Sequence, residues 1–381
     1  MSKPRIYIST PHLDGNEGEF LALTLDSNWI APVGVNITNF ERELSKYLSQ
    51  GKEVTALNCG TAAVHLALLL AGVEAGDEVI CQSFTFCASA NPILYVNATP
   101  VFVDSEKQTW NMCPELLKSA VEDRIARGKK PKAIIAVHSY GMPYKVDEVH
   151  AFAKAHQIPV IEDSAEALGS TYKGRKCGTY GDFGILSFNG NKIITTSGGG
   201  ALVCPDQSTK QKTVFLATQA RDQAPHYQHS QLGYNYRMSN ISAGIGRGQM
   251  QVLDKHVELR RRMNSFYKDL FKEIDGINVL EEPSADFHSN HWLSAILVEP
   301  SLTGGITRED LRVALEKDNI ESRPLWKPMH LQPLYKDYPY YGHGVCDSLF
   351  DKGLCLPSGS NLTDTDRERI ANAILTVFKD A

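Results

Sequence analysis

The stretch from Val54 to Ala71, VTALNCGTAAVHLALLLA, joins a short apolar run to a longer segment that is almost entirely apolar. The longer segment is mostly Ala, Leu and Val, which suits a helix with almost no polar face. Such a helix has to be buried against a sheet. The stretch therefore predicts a strand over Val54–Asn58, a tight junction and a buried helix over Thr61–Ala71, which is typical of an α/β fold.

Six more apolar runs of similar length follow along the chain and alternate with helical patterns. Several are continuous rather than alternating, as in a sheet that is covered on both faces. The runs are Glu78–Gln82, Pro100–Asp104, Ala133–Ser139, Pro159–Asp163, Phe183–Phe188 and Gly199–Cys204. With amphipathic helices over Pro114–Arg127 and Asp147–His156, they predict a mostly parallel, seven-stranded sheet covered by helices.

A long helical pattern from Ser242 to Ile274 separates this region from a C-terminal part with shorter elements. The predicted C-terminal elements are a strand over Trp292–Val298, a helix over Arg308–Lys317 and a terminal helix from Asp364. We predict a large domain over residues 1–255 and a smaller α+β domain over residues 256–381.

The composition is that of a soluble globular enzyme, with 381 residues, 42% hydrophobic and 22% charged. The net charge is -5 and no long block has one sign, which argues against nucleic-acid or anionic-membrane partners. The start has no signal-peptide pattern and apolar runs such as Ala67–Ala71 are too short to cross a bilayer, so we expect a cytoplasmic protein. The eight cysteines form no C-x-x-C pair, so we expect neither a metal site nor disulfides.

The junction Asn58-Cys59-Gly60-Thr61 is a candidate phosphate site. The first backbone N–H groups of a helix lack acceptors within the helix, and its dipole favours an anion there. The alternative is ordinary capping, with Thr61 as the N-cap.

Carboxylates cluster at the end of the strand Val160-Ile161-Glu162-Asp163, and Glu166 follows shortly after it. Open α/β sheets place their ligands at the carboxyl ends of strands, so these acids are candidates for binding a cationic group. A salt bridge or a helix cap is the alternative.

A single lysine, Lys192, lies among glycines and small polar residues in the run Ser187–Gly200. Glycines let the backbone approach a ligand closely, and a lysine in a closed site can lose its proton and attack a carbonyl group. The alternative is an exposed lysine on a flexible turn.

These three pieces together predict a pyridoxal phosphate (PLP) site. Lys192 would bind the cofactor as an imine, and Asp163 would keep its pyridine nitrogen protonated. Phe86 is a candidate for stacking on the ring, with core packing as the alternative. The candidate phosphate ligands are Gly60, Thr61 and Ser187.

Six ordered segments resemble the DegT/DnrJ/StrS-type sugar aminotransferases, a fold-type-I PLP-dependent family that acts on nucleotide-linked keto-sugars. The matching segments are Asn28–Gly34, Leu57–Ala63, Ile161–Ala167, Ser187–Gly200, Gly233–Asn240 and Arg323–His330. The resemblance covers nearly the whole chain and implies the fold type, the cofactor and a role in glycan biosynthesis.

The resemblance also implies the roles of individual residues. Lys192 would be the imine-forming lysine and Asp163 the partner of the pyridinium, with Glu166 near the ring hydroxyl. Asn235 would reach the phosphate of the other subunit's cofactor. The resemblance therefore implies a homodimer with its active sites at the subunit interface.

The resemblance places Asn189, Arg237 and His330 around the sugar-nucleotide pocket. An ion pair is the alternative for Arg237, and simple packing is the alternative for His330. Asn189, Glu166 and Ser164 differ from the residues that are commonest in the family, which bears on substrate choice and removes no catalytic group.

Within the family, the resemblance is greatest to bacterial UDP-N-acetylbacillosamine transaminases. It implies transfer of the amino group of L-glutamate to the C4 ketone of a UDP-linked 2-acetamido-4-keto-2,6-dideoxyhexose. Three alternatives remain: another keto-sugar (3-keto, or GDP- or dTDP-linked), a PLP-dependent sugar lyase or dehydratase, and a binding or regulatory protein. Lys192 favours amino transfer, because family members that act as dehydratases have histidine in its place.

Overall fold

The computed structural model describes residues 3–379, which fold around one large sheet and two small ones. The strands are β1 (Glu53–Leu57), β2 (Glu78–Gln82), β3 (Thr99–Val103), β4 (Ala133–Val137), β5 (Val160–Asp163), β6 (Thr171–Tyr172), β7 (Arg175–Lys176), β8 (Phe183–Ser187), β9 (Gly200–Cys204), β10 (Ile277–Val279), β11 (Phe287–His288), β12 (Ser294–Val298), β13 (Arg323–Pro324), β14 (Tyr340–Tyr341) and β15 (Gly353–Leu356). The helices are α1 (Glu17–Asp26), α2 (Val35–Leu48), α3 (Gly60–Leu70), α4 (Cys87–Tyr95), α5 (Pro114–Ala126), α6 (Val146–Ala155), α7 (Gln207–Ala217), α8 (Asn240–Met250), α9 (Leu253–Phe271), α10 (Arg308–Lys317), α11 (Val345–Lys352) and α12 (Asp364–Lys379).

The large sheet has the strand order β1-β9-β8-β5-β4-β2-β3-β14. All of its strands are parallel except β9, which pairs antiparallel with β1 and β8. The seven predicted strands are therefore confirmed, with ends shifted by at most two residues. The C-terminal part of the chain adds an eighth, β14, beside β3.

Strand β9 begins at a position that only glycine can occupy. A Cβ atom on Gly200 would lie 2.4 Å from the carbonyl carbon of Cys59 and 2.4 Å from the amide nitrogen of Gly60. No side chain fits at that distance, so Gly200 lets β9 pass directly beside the start of α3.

Helix α3 is buried against the sheet, as its apolar sequence predicts. Most of its residues are buried, from Ala62 to Leu68 without interruption. The helix begins at Gly60, and the Sγ of Cys59 accepts a hydrogen bond from the amide of Ala62 at 3.3 Å. The N-cap is therefore Cys59, and the alternative of Thr61 as the cap is wrong.

The long helical pattern over Ser242–Ile274 forms two helices, α8 and α9, rather than one. Between them the amides of Gln251 and Val252 each bond a carbonyl three residues back, at 3.2 Å, so the end of α8 tightens and the chain changes direction. The predicted division after residue 255 lies in the first turn of α9 and stays a prediction.

The C-terminal elements form an antiparallel sheet, β10-β12-β15-β13, with helices packed on it. The helix predicted over Arg308–Lys317 is confirmed, and Thr307 and Asp310 form a capping box at its start. Its buried Leu311 shares a core with Ile296 of β12 and Ile370 of α12.

Two further observations concern the helices and the cysteines of the described residues. Within residues 3–379, none of the helices has the length and the apolar composition that a membrane crossing requires. All eight cysteines are free thiols. Five of them are buried: Cys81, Cys177, Cys204, Cys346 and Cys355.

Candidate functional site

A cleft of about 310 Å³ opens at the carboxyl ends of β5 and β8, beside the starts of α3 and α4. This is the edge at which α/β sheets bind ligands. Eight of the eleven predicted site residues line it: Gly60, Thr61, Phe86, Asp163, Glu166, Ser187, Asn189 and Lys192.

Asp163 ends strand β5 and is 5% exposed. Its Oδ2 accepts a hydrogen bond from the hydroxyl of Ser89 at 2.7 Å, and its Oδ1 accepts one from the amide of Ala165 at 3.1 Å. The Oγ of Thr85 lies 2.8 Å from that of Ser89 and extends the chain of hydrogen bonds. These donors stabilise a buried carboxylate at the cleft, where it can bind a cationic group.

Glu162, the neighbouring carboxylate, points to the other side of the strand and has a structural role. It accepts hydrogen bonds from the Nε2 of His138 at 2.8 Å and from the amides of Gly178, Tyr180 and Gly181 at 2.6–2.8 Å. Burial acts to raise the pKa of Glu162, but these hydrogen bonds outweigh it and the pKa lies below its ordinary value. The structural alternative is therefore correct for this residue.

Lys192 points into the cleft and its side chain is 14% exposed, so the alternative of an exposed lysine is wrong. Its Nζ lies 3.4 Å from the Oε1 of Glu166 and 4.1 Å from the centre of the Trp292 ring. The amide of Tyr140 holds the other carboxylate oxygen of Glu166 at 2.7 Å. Burial raises the pKa of Glu166, although the charge of Lys192 opposes this.

The other end of the cleft is formed by the start of α3 and by Ser187 of β8. A Cβ atom on Gly60 would lie 3.3 Å from the Cβ of Ser187 and 3.5 Å from its Oγ. The hydroxyl of Ser187 therefore lies beside the first turn of the helix, whose N–H groups and dipole suit a phosphate. With the amine of Lys192 and the carboxylate of Asp163 in the same cleft, the donor set fits PLP.

Aromatic side chains form one wall of the cleft. Phe86 is 50% exposed, which excludes the core-packing alternative, and its ring centre lies 5.4 Å from that of Trp326. Trp326 stacks on Tyr140, with centres 5.7 Å apart and planes 14° apart. Sequence reasoning did not single out Trp326, although it lies in the matching segment Arg323–His330.

Asn235 lies outside the cleft of its own chain. It is exposed, and its Oδ1 accepts a hydrogen bond from the Nε2 of Gln219 at 3.1 Å. Its side chain is thus at the surface, where a second subunit could be reached, and its role across an interface stays a prediction.

Arg237 also lies outside the cleft. It forms a short ion pair with Glu41 and donates to the carbonyl oxygen of Ala56 at 2.9 Å. Within one chain these contacts match the ion-pair alternative, and its place in a sugar pocket stays a prediction.

His330 is packed rather than open to the cleft. Its Nδ1 lies 2.9 Å from the Oγ of Ser83, its Nε2 lies 3.1 Å from Asp347, and its ring stacks on Tyr340 with centres 3.6 Å apart. Burial lowers the pKa of His330, although Asp347 opposes this. These contacts match the packing alternative.

Comparison with known proteins adds to this geometry. The model of the DegT/DnrJ/EryC1/StrS aminotransferase family matches residues 11–375. EpsN of Bacillus subtilis, named as a candidate pyridoxal phosphate-dependent aminotransferase, is 49% identical over 378 residues, covering 98% of this chain and 96% of its own. The GDP-perosamine synthase of Caulobacter vibrioides is 36% identical over 373 residues, covering 97% of this chain and 98% of its own.

Solved structures of a similar protein show the same fold in two forms of the cofactor. Spr1654 of Streptococcus pneumoniae, named as a candidate sugar aminotransferase, is 28% identical in its PMP form, with a TM-score of 0.88 over 100% of this chain and 98% of its own. The same protein is known in a PLP form, also with a TM-score of 0.88. Lys192 and Asp163 thus share a cleft in a chain that the family model covers almost from end to end, and the protein is a PLP-dependent enzyme of the DegT/DnrJ/EryC1/StrS aminotransferase family.

Proposed function

We propose that this enzyme transfers the amino group of L-glutamate to the C4 ketone of a UDP-linked 2-acetamido-4-keto-2,6-dideoxyhexose. The proposal of aminotransferase activity rests on one observation: the amine of Lys192 lies in the same cleft as the buried carboxylate of Asp163. The names of the relatives support a nucleotide-sugar acceptor, because one is a GDP-perosamine synthase. The matching segments support UDP as the carrier.

Bound PLP supplies an electron sink that stabilises negative charge on the carbon next to the amino nitrogen. Asp163 keeps a proton on the pyridine nitrogen, because a nearby negative charge favours the cationic ring. Gly60, Thr61 and Ser187 hold the phosphate. The amine of Lys192 takes the proton from the α-carbon of the donor and delivers it in the direction that the reaction requires.

Glu166 orients the amine of Lys192 within the cleft. Its Oε1 is the acceptor at 3.4 Å, and the Tyr140 amide fixes the opposite oxygen. Because burial raises its pKa, Glu166 can share a proton with a ligand oxygen or with Lys192. Its position supports the predicted place near the ring hydroxyl.

We further propose that the active enzyme is a homodimer. The segment that leads into the first residue of α2 exposes several large apolar side chains, which is unfavourable in water unless another surface covers them. These residues are Trp29, Ile30, Val33 and Val35. Asn235 is exposed as well. A residue that acts across an interface has to be exposed when its chain is considered alone.

The first test is the visible spectrum of the purified protein before and after L-glutamate, without any sugar. An aminotransferase loses the yellow band and releases 2-oxoglutarate. A band that glutamate leaves unchanged would contradict the proposed donor or indicate a lyase. A colourless protein that PLP does not reconstitute would favour the binding-protein alternative.

The second test is a panel of keto-sugars given to the enzyme after its glutamate half-reaction. The UDP-linked 2-acetamido-4-keto sugar should regenerate the yellow form at least about tenfold faster than GDP- or dTDP-linked 4-keto sugars, because a pocket that pairs with one base rejects others. A faster reaction with a GDP-linked sugar would overturn UDP as the carrier and keep the aminotransferase activity.

A further inference from the structure

Helix α9 carries a guanidinium in the interior of the protein. Arg260 is 1% exposed, and no carboxylate of residues 3–379 lies within 4.0 Å of its nitrogens. Burial lowers its pKa to about 9, so it still carries its charge at pH 7. A buried cation without an anionic partner is costly, so its hydrogen bonds need an explanation.

Among the described residues, the guanidinium donates to three groups, all of them around the lysine of the cleft. One nitrogen, Nη1, donates to the carbonyl oxygen of Trp292 at 2.5 Å. The other, Nη2, donates to the hydroxyl of Ser9 at 2.9 Å and to the carbonyl oxygen of Lys192 at 3.3 Å. Three segments that are distant in sequence therefore meet at one side chain.

The same segments are also bonded to one another through the residue before the lysine. The carbonyl oxygen of Asn191 accepts hydrogen bonds from the hydroxyl of Ser9 and from the indole nitrogen of Trp292, both at 2.7 Å. The carbonyl oxygens of residues 191 and 192 therefore both accept hydrogen bonds from this set of side chains. Arg260 binds the hydroxyl of Ser9, the carbonyl of Lys192 and the carbonyl of Trp292, and so connects all three segments.

Helix α9 makes a second contact with this backbone one turn earlier. The Nδ1 of His256 lies 3.3 Å from the carbonyl oxygen of Ile193. His256 and Arg260 are four residues apart, which places them on the same face of the helix. This face of α9 therefore holds two consecutive carbonyls, those of Lys192 and Ile193.

The network also fixes what the lysine amine faces. The Nζ of Lys192 lies 4.1 Å from the centre of the Trp292 ring, and Arg260 binds the carbonyl of that same tryptophan. A shift of the guanidinium would move the lysine backbone and the ring together.

We propose that Arg260 is a positioning residue for the Lys192 amine, holding the lysine backbone and the Trp292 ring in a fixed relation to the cleft. An arginine suits this task because its planar fork donates in several directions at once. A lysine keeps the charge, but its ammonium cannot reproduce the fork. The inference rests on the PLP chemistry of the family and is independent of which sugar the enzyme uses.

The test compares Arg260→Lys and Arg260→Met with Arg262→Gln. Arg262 is the matched control, because it lies on the same helix with its side chain 67% exposed and pairs only with Glu258. One readout is the midpoint of the pH titration of the bound-cofactor absorbance. A second is the rate at which borohydride traps the cofactor on Lys192, followed by mass spectrometry. The third is the rate of the glutamate half-reaction.

We expect Arg260→Lys to bind PLP but to slow the half-reaction by about a hundredfold, because small misplacements of a reacting group are costly. Arg260→Met should in addition raise the titration midpoint, because a positive charge near the amine is lost. Arg262→Gln should match the wild type in every readout. Arg260 variants that match Arg262→Gln in midpoint, trapping and half-reaction would overturn the proposal.

Ser9→Ala covers the case in which an Arg260 variant fails to fold. It removes one hydroxyl from the network and leaves the charge in place, so the half-reaction should slow by about three- to tenfold in a protein that still melts cooperatively. Wild-type kinetics in Ser9→Ala together with a wild-type half-reaction rate in whichever Arg260 variant folds would also overturn the proposal. If glutamate leaves the wild type unchanged, the proposed donor fails, while the titration and trapping readouts still decide the role of Arg260.

Discussion

Lys192 and Asp163 meet because β5 and β8 are neighbouring parallel strands whose carboxyl ends lie at the same edge of the sheet. Both residues could be proposed from the sequence, because each has an informative side chain and lies at or shortly after the end of a predicted strand. Ser89 and Trp292 could not be predicted in this way. Ser89 reaches Asp163 across 74 residues of sequence, and Trp292 reaches Lys192 from the C-terminal part of the chain, so only the folded backbone brings them together.

Lys192→Ala is expected to lower turnover by at least about a thousandfold, because the amine both binds the cofactor and moves the proton. Steady-state assays with saturating PLP and glutamate would measure this. The exposed Lys336→Ala serves as the control and should keep wild-type rates. A Lys192→Ala enzyme with substantial turnover, folded as judged by its melting temperature, would contradict the assignment.

Ser89→Ala tests how the carboxylate of Asp163 is held. Losing the hydroxyl donor at 2.7 Å should leave the carboxylate of Asp163 less firmly held and slow the half-reaction by about three- to tenfold. Asp163→Asn should slow it by several orders of magnitude. Stopped-flow absorbance with glutamate distinguishes the two, and Ser119→Ala on the exposed face of α5 is the control. Equal rates in Ser89→Ala and wild type would mean that the hydroxyl does not support the carboxylate.

At the scale of helices and strands, the apolar strands and the buried α3 were predictable from sequence. An element that is buried on all sides consists of a continuous run of apolar residues, which is easy to recognise. The break between α8 and α9 was not predictable, because the pattern around Gln251 and Val252 is still helical and the turn depends on two short-range hydrogen bonds. Helix α4 was not predicted because it contains Pro92 in its interior, where proline normally disfavours a helix.

Gly200→Ala tests the close passage of β9 beside α3. A Cβ atom 2.4 Å from backbone atoms forces the strand and the helix start apart, so the free energy of unfolding should fall by about 3 kcal/mol. The control is Gly198→Ala in the same segment, where a Cβ atom would meet nothing within 4 Å. Urea denaturation measures both variants, and equal stability of the two would contradict the steric argument.

The contact of α9 with the lysine segment predicts a loss of stability in mild acid. Burial lowers the pKa of His256 from 6.5 to about 4, so between these values the unfolded chain binds a proton that the folded chain does not. The free energy of unfolding should therefore fall as the pH drops from 6.5 to 4, by about 3 kcal/mol from this residue.

Urea denaturation at several pH values checks this expectation. His256→Asn should flatten the pH dependence over this interval, whereas His226→Asn, at an exposed histidine, should leave it as in the wild type. The same slope in all three proteins would show that His256 does not carry the effect.

At the scale of the whole molecule, the predicted homodimer makes one subunit complete the other's site. Lys192→Ala and Asn235→Ala would each inactivate a homodimer, but in a mixed dimer one of the two sites has both residues intact. Refolding equal amounts together should therefore restore up to about a quarter of the wild-type activity. No recovery, with mixed dimers shown by mass spectrometry, would contradict the role of Asn235 across the interface.

The two-residue strand β14 has a consequence for how the chain is made. Because β14 is formed by residues 340 and 341, the ribosome has to deliver every residue up to these before the large sheet gains its last strand beside β3. Until then the nascent chain presents an unpaired strand edge, a template for association with other chains. Products that terminate before residue 340 should therefore be recovered as aggregates or as chaperone clients more often than chains that include β14, which covers part of the β3 edge.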